Sequence, residues 1–146
     1  MRALAIIAAE HANMLRLSGA LDVLGDRLAE AASAEDLHTV ALIADYFQSF
    51  ADRVHHPKES EVLFARVRRR SNEAAEVLER LDREHEIGPS QSARIHALAV
   101  GTPPSDRAGV VALIAEIEGF RSRLLEHMRV EEEIAFPLAR RALTAD

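Results

Sequence analysis

The chain has 146 residues, a length that suits one compact domain, residues 1–146, able to bury a core without disulfides. It contains no cysteine, which excludes thiolate catalysis, iron–sulfur clusters and cysteine-rich zinc sites, so nitrogen and oxygen atoms must hold any metal. The net charge of -6 argues against nucleic-acid binding, and no apolar run approaches the length of a membrane span. We therefore expect a cytoplasmic protein.

Apolar residues recur at intervals of three and four along the chain, and no period-two alternation indicates a strand. The first predicted helix ends near Ala32, and Ser33 with Asp36 three residues later is typical of an N-cap that opens the second. The inner face of the first helix comprises Leu4, Ile7, His11, Met14, Ser18, Leu21, Gly25 and Leu28.

The second predicted helix extends to about Arg70 and contains Pro57. Proline removes a backbone hydrogen bond, so we expect a distorted turn between His55 and Glu59. Three consecutive steps of four also indicate a local shift of register. The predicted inner face comprises Leu37, Val40, Ala44, Phe47, Ala51, His55, Glu59 and Val62.

The third predicted helix ends at a loop, residues 101–105, and the fourth starts near Asp106. Four long helices with short connections predict an all-α protein, an up-down-up-down antiparallel four-helix bundle. The inner faces of these two helices comprise Ala74, Leu78, Leu81, His85, Gly88, Ser92, Ile95 and Ala99, then Leu113, Ile117, Phe120, Leu124, His127, Glu131, Ile134 and Leu138.

Polar residues interrupt the apolar inner face of every predicted helix. At 1.5 Å per residue all of them lie in one slab, roughly 15 to 24 Å from the same end of the bundle. Two carboxylates buried there would be destabilising by several kcal/mol each without cations. We therefore predict two metal ions bridged by the glutamates, with histidine nitrogens as outer ligands. The residues concerned are His11, His55, Glu59, His85, His127 and Glu131.

A single histidine on an apolar helix face is more often a hydrogen-bonded core residue than a metal ligand. Four at one level, with two His-x-x-x-Glu pairs, favour metal ligation, because a spacing of four places both side chains on one helix face. The halves also repeat: His11 precedes His55 by 44 residues, and His85 precedes His127 by 42. Such a repeat is consistent with two helical hairpins around a dinuclear site.

The motifs together resemble the hemerythrin-like (HHE cation-binding) domain family over nearly the whole chain. They are Glu10-His11, the run from His55-His56-Pro57-Lys58-Glu59 through Leu63-Phe64, Glu84-His85, and the run from His127 through Phe136-Pro137. The resemblance implies two non-haem iron ions in a four-helix bundle, with an oxo or hydroxo bridge beside the two carboxylates.

The resemblance also implies a role for each ligand. His11, His55, His85 and His127 would be terminal ligands, with Glu59 and Glu131 bridging. His56 stays open between a ligand and a role outside the metal site, because in some relatives the residue after the first motif histidine also binds iron.

The sequence departs from the oxygen-transporting hemerythrins of marine invertebrates. Their third helix carries His-x-x-x-His, whereas at that spacing His85 has Leu81 before it and Pro89 after it. Their fourth helix has an aspartate five residues after its histidine, whereas Glu131 follows His127 by four. Within the family that the chain resembles, these departures favour a protein that binds or senses dioxygen, nitric oxide or peroxide in redox stress response over an oxygen transporter. Alternatives are a di-iron enzyme acting on peroxide or in iron–nitrosyl or iron–sulfur repair, and a metal-free interaction bundle.

The layers beside the predicted site differ in bulk. One is large, with Ile7, Val62, Leu81 and Ile134; the other contains Met14, Ala51, Gly88 and Leu124. We predict that the pocket for the small ligand opens toward Gly88 and Ala51. The acids next to Glu131, Glu132 and Glu133, are expected to be solvated.

Overall fold

The structure, a computed structural model, describes residues 2–144, of which almost all are helical and none lies in a strand. Within that part of the chain four long helices follow one another. They are α1, Arg2–Ala31; α2, which runs from Ala34–Tyr46 through Phe47–His55 and Lys58–Phe64 to Ala65–Arg68; α3, Ala75–Gly101; and α4, which runs from Arg107–Val130 through Glu131–Ala135 to Phe136–Thr144.

The helices pack as a closed ring in which α1 contacts α2 and α4, and α3 contacts the same two neighbours. The predicted all-α, up-down-up-down antiparallel four-helix bundle is confirmed. None of the helices between residues 2 and 144 combines the length and the apolar character needed to cross a membrane.

Two helix starts are fixed by side-chain caps. The Ser33 hydroxyl accepts a hydrogen bond of 3.0 Å from the backbone N–H of Asp36, as the sequence predicts. At the start of α4, the carboxylate of Asp106 accepts one of 3.0 Å from Gly109. Each cap satisfies a backbone donor that has no partner within the helix.

We expect Ser33→Ala to lower the free energy of unfolding by about 1 kcal/mol, because alanine cannot accept the Asp36 N–H. Urea unfolding followed by circular dichroism would measure the change. Ser49→Ala is the matched control, since Ser49 is exposed within α2 and bonds only the carbonyl of Tyr46, 3.3 Å away. Equal urea midpoints for the two variants would contradict the capping role.

Helices α2 and α4 both widen into π-helical turns just before a proline. The residue preceding each proline donates its backbone N–H to the carbonyl five residues back: His56 to Ala51, and Phe136 to Glu131. A wide turn accommodates the proline ring, which clashes with the carbonyl four residues earlier in a regular helix. The distortion predicted around Pro57 is confirmed, and α4 repeats it before Pro137.

The wide turns correct the predicted inner face beyond the site. Val62 and Ile134 were expected inside, but they are 47% and 42% exposed. Leu63 and Ala135, one position later in each helix, are buried instead at 4% and 1%. A π-helical turn contains an extra residue, so the inward-facing position moves by one.

The buried apolar residues form two clusters, and the predicted polar layer falls at their boundary. One cluster includes Met14, Ala51 and Leu124, and the other includes Ile7 and Leu81, with further members along all four helices. Apolar packing on both sides therefore holds the polar layer away from water.

Candidate metal centre

The structure brings all seven predicted site residues together in that layer. Five of them are buried, with at most 7% of the residue exposed: His11, His55, Glu59, His127 and Glu131. The side chains of the other two, His85 and His56, are 7% and 12% exposed. Helices α1 and α3 supply one residue each, and α2 and α4 supply the other five within or next to their π-helical turns. The layer expected from helix heights is therefore present.

One group of potential ligands consists of His11, His55 and Glu59, whose donor atoms all lie within 4.8 Å of one another. His11 Nε2 is 3.4 Å from Glu59 Oε1 and 3.2 Å from Glu131 Oε2. His55 Nε2 is 3.4 Å from Glu59 Oε2. This side of the site thus offers two imidazoles and an oxygen from each glutamate.

The second group contains His56, His85 and His127, and it shares the two glutamates. The Nε2 atoms of His85 and His127 are 3.0 Å apart. His127 Nε2 lies 3.3 Å from Glu131 Oε1, and His85 Nε2 lies 3.4 Å from Glu59 Oε2. The His56 ring stacks on that of His85 with centroids 4.2 Å apart. Both carboxylates therefore lie between an imidazole pair and an imidazole triplet.

The carboxylates at the centre have no hydrogen-bond partner. All four oxygens of Glu59 and Glu131, together with His11 Nε2, are buried and unbonded within residues 2–144. Buried polar atoms are nearly always hydrogen-bonded, and an unpaired buried carboxylate is strongly destabilising. A pair of cations would satisfy these atoms, and imidazole nitrogens with bridging oxygens form a suitable donor set. The residues present therefore fit a dinuclear cation site.

When cations are absent, bound protons offset part of the negative charge of the two glutamates. Burial alone lowers the pKa of His11, but Glu131 and Glu59 outweigh it and raise the value to about 10. Burial likewise opposes the charged form of His127, while Glu131 and Glu84 raise its pKa to about 9. Burial and the charge of Glu131 raise the pKa of Glu59 to about 8. Two positive charges are thus drawn into the layer by its carboxylates.

Four histidines are held from outside through Nδ1, at distances of 2.7–3.0 Å. The partners are Glu10 for His55, Glu84 for His127, Ser60 for His85 and Glu132 for His11. Beside a carboxylate, Nδ1 carries the proton and donates it, so in the neutral ring Nε2 has a lone pair directed at the centre. The three carboxylates thereby favour the ring orientation and the tautomer that a metal requires, whereas the Ser60 hydroxyl orients His85 and can either donate or accept.

These outer partners were not predicted from the sequence. Glu132 is exposed to solvent, as expected, with 48% of its side chain accessible, and its Oε1 also lies 3.0 Å from His11 Nδ1. Glu10 and Glu84 directly precede His11 and His85, and each bonds the histidine on the next helix of its own hairpin. The repeated Glu-His dipeptide was the available signal for them.

We expect Glu84→Gln to weaken metal binding about 10–100-fold, because a neutral amide supports the His127 imidazole less well than a carboxylate does. Competition with a chromophoric chelator would measure the affinity. Glu79→Gln is the control, since Glu79 is on the same helix, 71% exposed, and pairs only with Arg83. Equal affinities of the two variants would show that Glu84 does not support a ligand.

A cavity of about 370 Å³ lies beside the second group, between α2, α3 and α4. Its walls include Ala51, Gly88 and Leu124, members of the layer predicted to contain small residues. A cavity is therefore present on the predicted side, toward Gly88 and Ala51, whereas its use by a small ligand stays a prediction. His56, His85 and His127 line the cavity on its metal side.

No curated protein and no solved structure is significantly similar to the chain. A family comparison, by contrast, matches nearly all of it. The paired His-x-x-x-Glu motifs, the four-helix bundle and the buried His/Glu layer agree with that match. With residues 2–139 matching the model of the hemerythrin HHE cation-binding domain, the chain belongs to that family.

Proposed function

We propose that the layer holds two iron ions and that the protein binds or senses dioxygen, nitric oxide or peroxide in redox stress response. His11 and His55 would hold one ion, and His56, His85 and His127 the other. Glu59 and Glu131 would bridge the two. The proposal includes the cytoplasmic location expected from the sequence.

The observation that carries the proposal is the set of four unbonded carboxylate oxygens facing imidazoles on two sides. The two central glutamates come from different helices, α2 and α4, and each reaches both groups of histidines. A single cation could not satisfy both groups, because three of the histidines lie on one side of the carboxylates and two on the other. Two cations could.

Iron is one of the metals that a mixed set of imidazole and carboxylate donors can hold. Bound iron would supply reversible electron transfer and a position for an added ligand. The group formed by His11 and His55 offers fewer nitrogen donors than the other, so an ion held there would have a coordination position left for an added small ligand. Burial of His11 and Glu131 excludes bulk water from the position.

Metal analysis combined with optical spectroscopy tests this function. We expect protein loaded anaerobically with ferrous iron to contain two ions per chain. Its absorption should change on exposure to dioxygen or nitric oxide and return when the ligand is removed and the protein is reduced, with little turnover. A colourless protein without bound metal would contradict the iron site, and catalytic consumption of peroxide would favour the enzyme alternative.

A further inference from the structure

The cavity beside the three-histidine group is larger than a diatomic ligand needs. Its volume of about 370 Å³ falls within the range of organic-ligand pockets, and an apolar cavity of roughly 150 Å³ already admits benzene. Neither His11 nor His55, which form the side with fewer donors, lines it. A diatomic ligand added on that side would not occupy this space.

The walls favour a neutral aromatic ring over water. Phe47, Ala51, Phe120 and Leu124 are all at most 8% exposed, and they offer water no hydrogen-bond partner. A water molecule needs about two to four such partners, so water in this part is readily displaced. The rings of Phe47 and Phe120 meet edge to face with centroids 4.9 Å apart, a geometry that a third planar ring can join.

One acceptor in the wall, Asp52, is shielded from solvent: its side chain is 7% exposed, whereas the other charged side chains of the lining, Arg80, Glu84, Arg123 and Glu126, are more exposed. Asp52 is held by a hydrogen bond of 2.8 Å from the Ser92 hydroxyl to Oδ2. Its other oxygen, Oδ1, lies 3.5 Å from His56 Nδ1 and has no hydrogen-bond partner in the described part of the chain. At this contact the carboxylate disfavours an anionic group and accepts a hydrogen bond from an N–H or O–H group.

We propose that this cavity binds a neutral aromatic molecule of one or two rings with a hydrogen-bond donor, an indole or a phenol, whose N–H or O–H group bonds Asp52. The ligand packs between the phenylalanine side chains and the imidazoles of His56 and His85. This site goes beyond the binding of diatomic ligands, and its occupation does not require that the metal be iron.

Two variants change the cavity without removing a metal ligand. A Cβ at Gly88 would lie 3.4 Å from Asp52 Oδ1 and 3.8 Å from His56, so Gly88→Leu adds its side chain at the cavity wall at ordinary contact distances. Ile87→Asp places a charge at the rim, where Ile87 is 52% exposed and the fold tolerates a polar residue. Gly19→Leu is the matched control, since Gly19 is helical, exposed and has nothing within 4 Å of an added Cβ.

The test titrates the metal-loaded protein with indole and 1-methylindole and follows the fluorescence of these two compounds. The chain has no tryptophan, so the protein contributes no indole fluorescence of its own. We expect saturable binding of one indole per chain, at least tenfold weaker in Gly88→Leu and Ile87→Asp and unchanged in Gly19→Leu. Absence of saturable binding, or equal binding in all four proteins, would overturn the site. Equal affinities for indole and 1-methylindole would overturn the contact with Asp52.

Metal content measured on the same samples separates this proposal from the function proposed above. Protein that lacks iron but binds indole in the expected pattern would refute the iron site and retain the cavity ligand. Protein with two irons and no indole binding would do the reverse.

Discussion

The double variant Glu59→Gln with Glu131→Gln is expected to lose both metal ions and to be more stable than the wild type once both proteins are metal-free. The two carboxylates are the only residues that approach both histidine groups within residues 2–144. Loss of an outer hydrogen-bonding partner alone weakens a metal site about 10–100-fold. Removing both bridging side chains should therefore weaken binding by more than 100-fold on that scale.

The gain in metal-free stability follows from the unsatisfied oxygens. The folded metal-free protein buries the carboxyl oxygens of Glu59 and Glu131 without hydrogen bonds and must draw protons into the layer to offset their charge, whereas the unfolded chain returns these groups to water. Neutral glutamines of nearly equal size remove that charge and can donate to the nearby imidazoles. Replacement of a buried ion pair by well-packed apolar residues of similar volume is often neutral or stabilising by ~1–4 kcal/mol, and we expect removal of the charge with glutamine to act in the same direction.

Calorimetric unfolding with and without iron would measure both effects. The metal should raise the melting temperature of the wild type and leave that of the double variant unchanged. Glu133→Gln is the control, since Glu133 is 61% exposed and pairs with Arg129 on the same helix. Retention of iron by the double variant would refute the bridging role. A metal-free double variant less stable than the metal-free wild type would refute the stated origin of the stability change.

The bundle was predictable from the sequence because apolar spacing of three and four persists along every helix up to the site. The prediction of the inner face was wrong only locally. It placed Val62 and Ile134 inside because it extended a regular helix through Pro57 and toward Pro137. The run of four-residue steps ending at Glu59 did signal a change of register. Periodicity cannot show on which turn the helix widens, because the turn depends on where the proline ring meets the preceding backbone.

The sequence predicted which residues meet in the site, but not which outer residue bonds each histidine. Heights along the helices placed its histidines and glutamates at one level, since each residue rises by a fixed distance. Which outer acceptor meets which imidazole depends on helix rotation and rotamers, so the bonds from Glu10 to His55 and from Glu84 to His127 emerged only from the structure. The cavity likewise depends on three-dimensional packing around Gly88.

We expect His56→Ala to weaken the binding of one of the two iron ions at least about 10-fold, because loss of an outer partner of a ligand alone weakens a metal site by about 10–100-fold. His56 would be the third imidazole on its side of the carboxylates, whereas the other side has two. Its Nδ1 is buried without a hydrogen bond, so the ring is not held as an ordinary core histidine would be. Without it, the ion on that side would be left with His85 and His127, as many imidazoles as the other ion would have, so we expect weaker binding there and not loss of the site.

Metal content after dialysis against a weak chelator would measure the weaker binding, with His38→Ala as the control because His38 is an exposed histidine of α2. A role confined to packing against His85 would lower the melting temperature of the metal-free protein and leave two ions bound. A ligand role has the opposite pattern, with the second ion bound more weakly and the metal-free stability little changed. Because the two roles affect different measurements, an unchanged affinity for the second ion in His56→Ala would exclude His56 from the metal site.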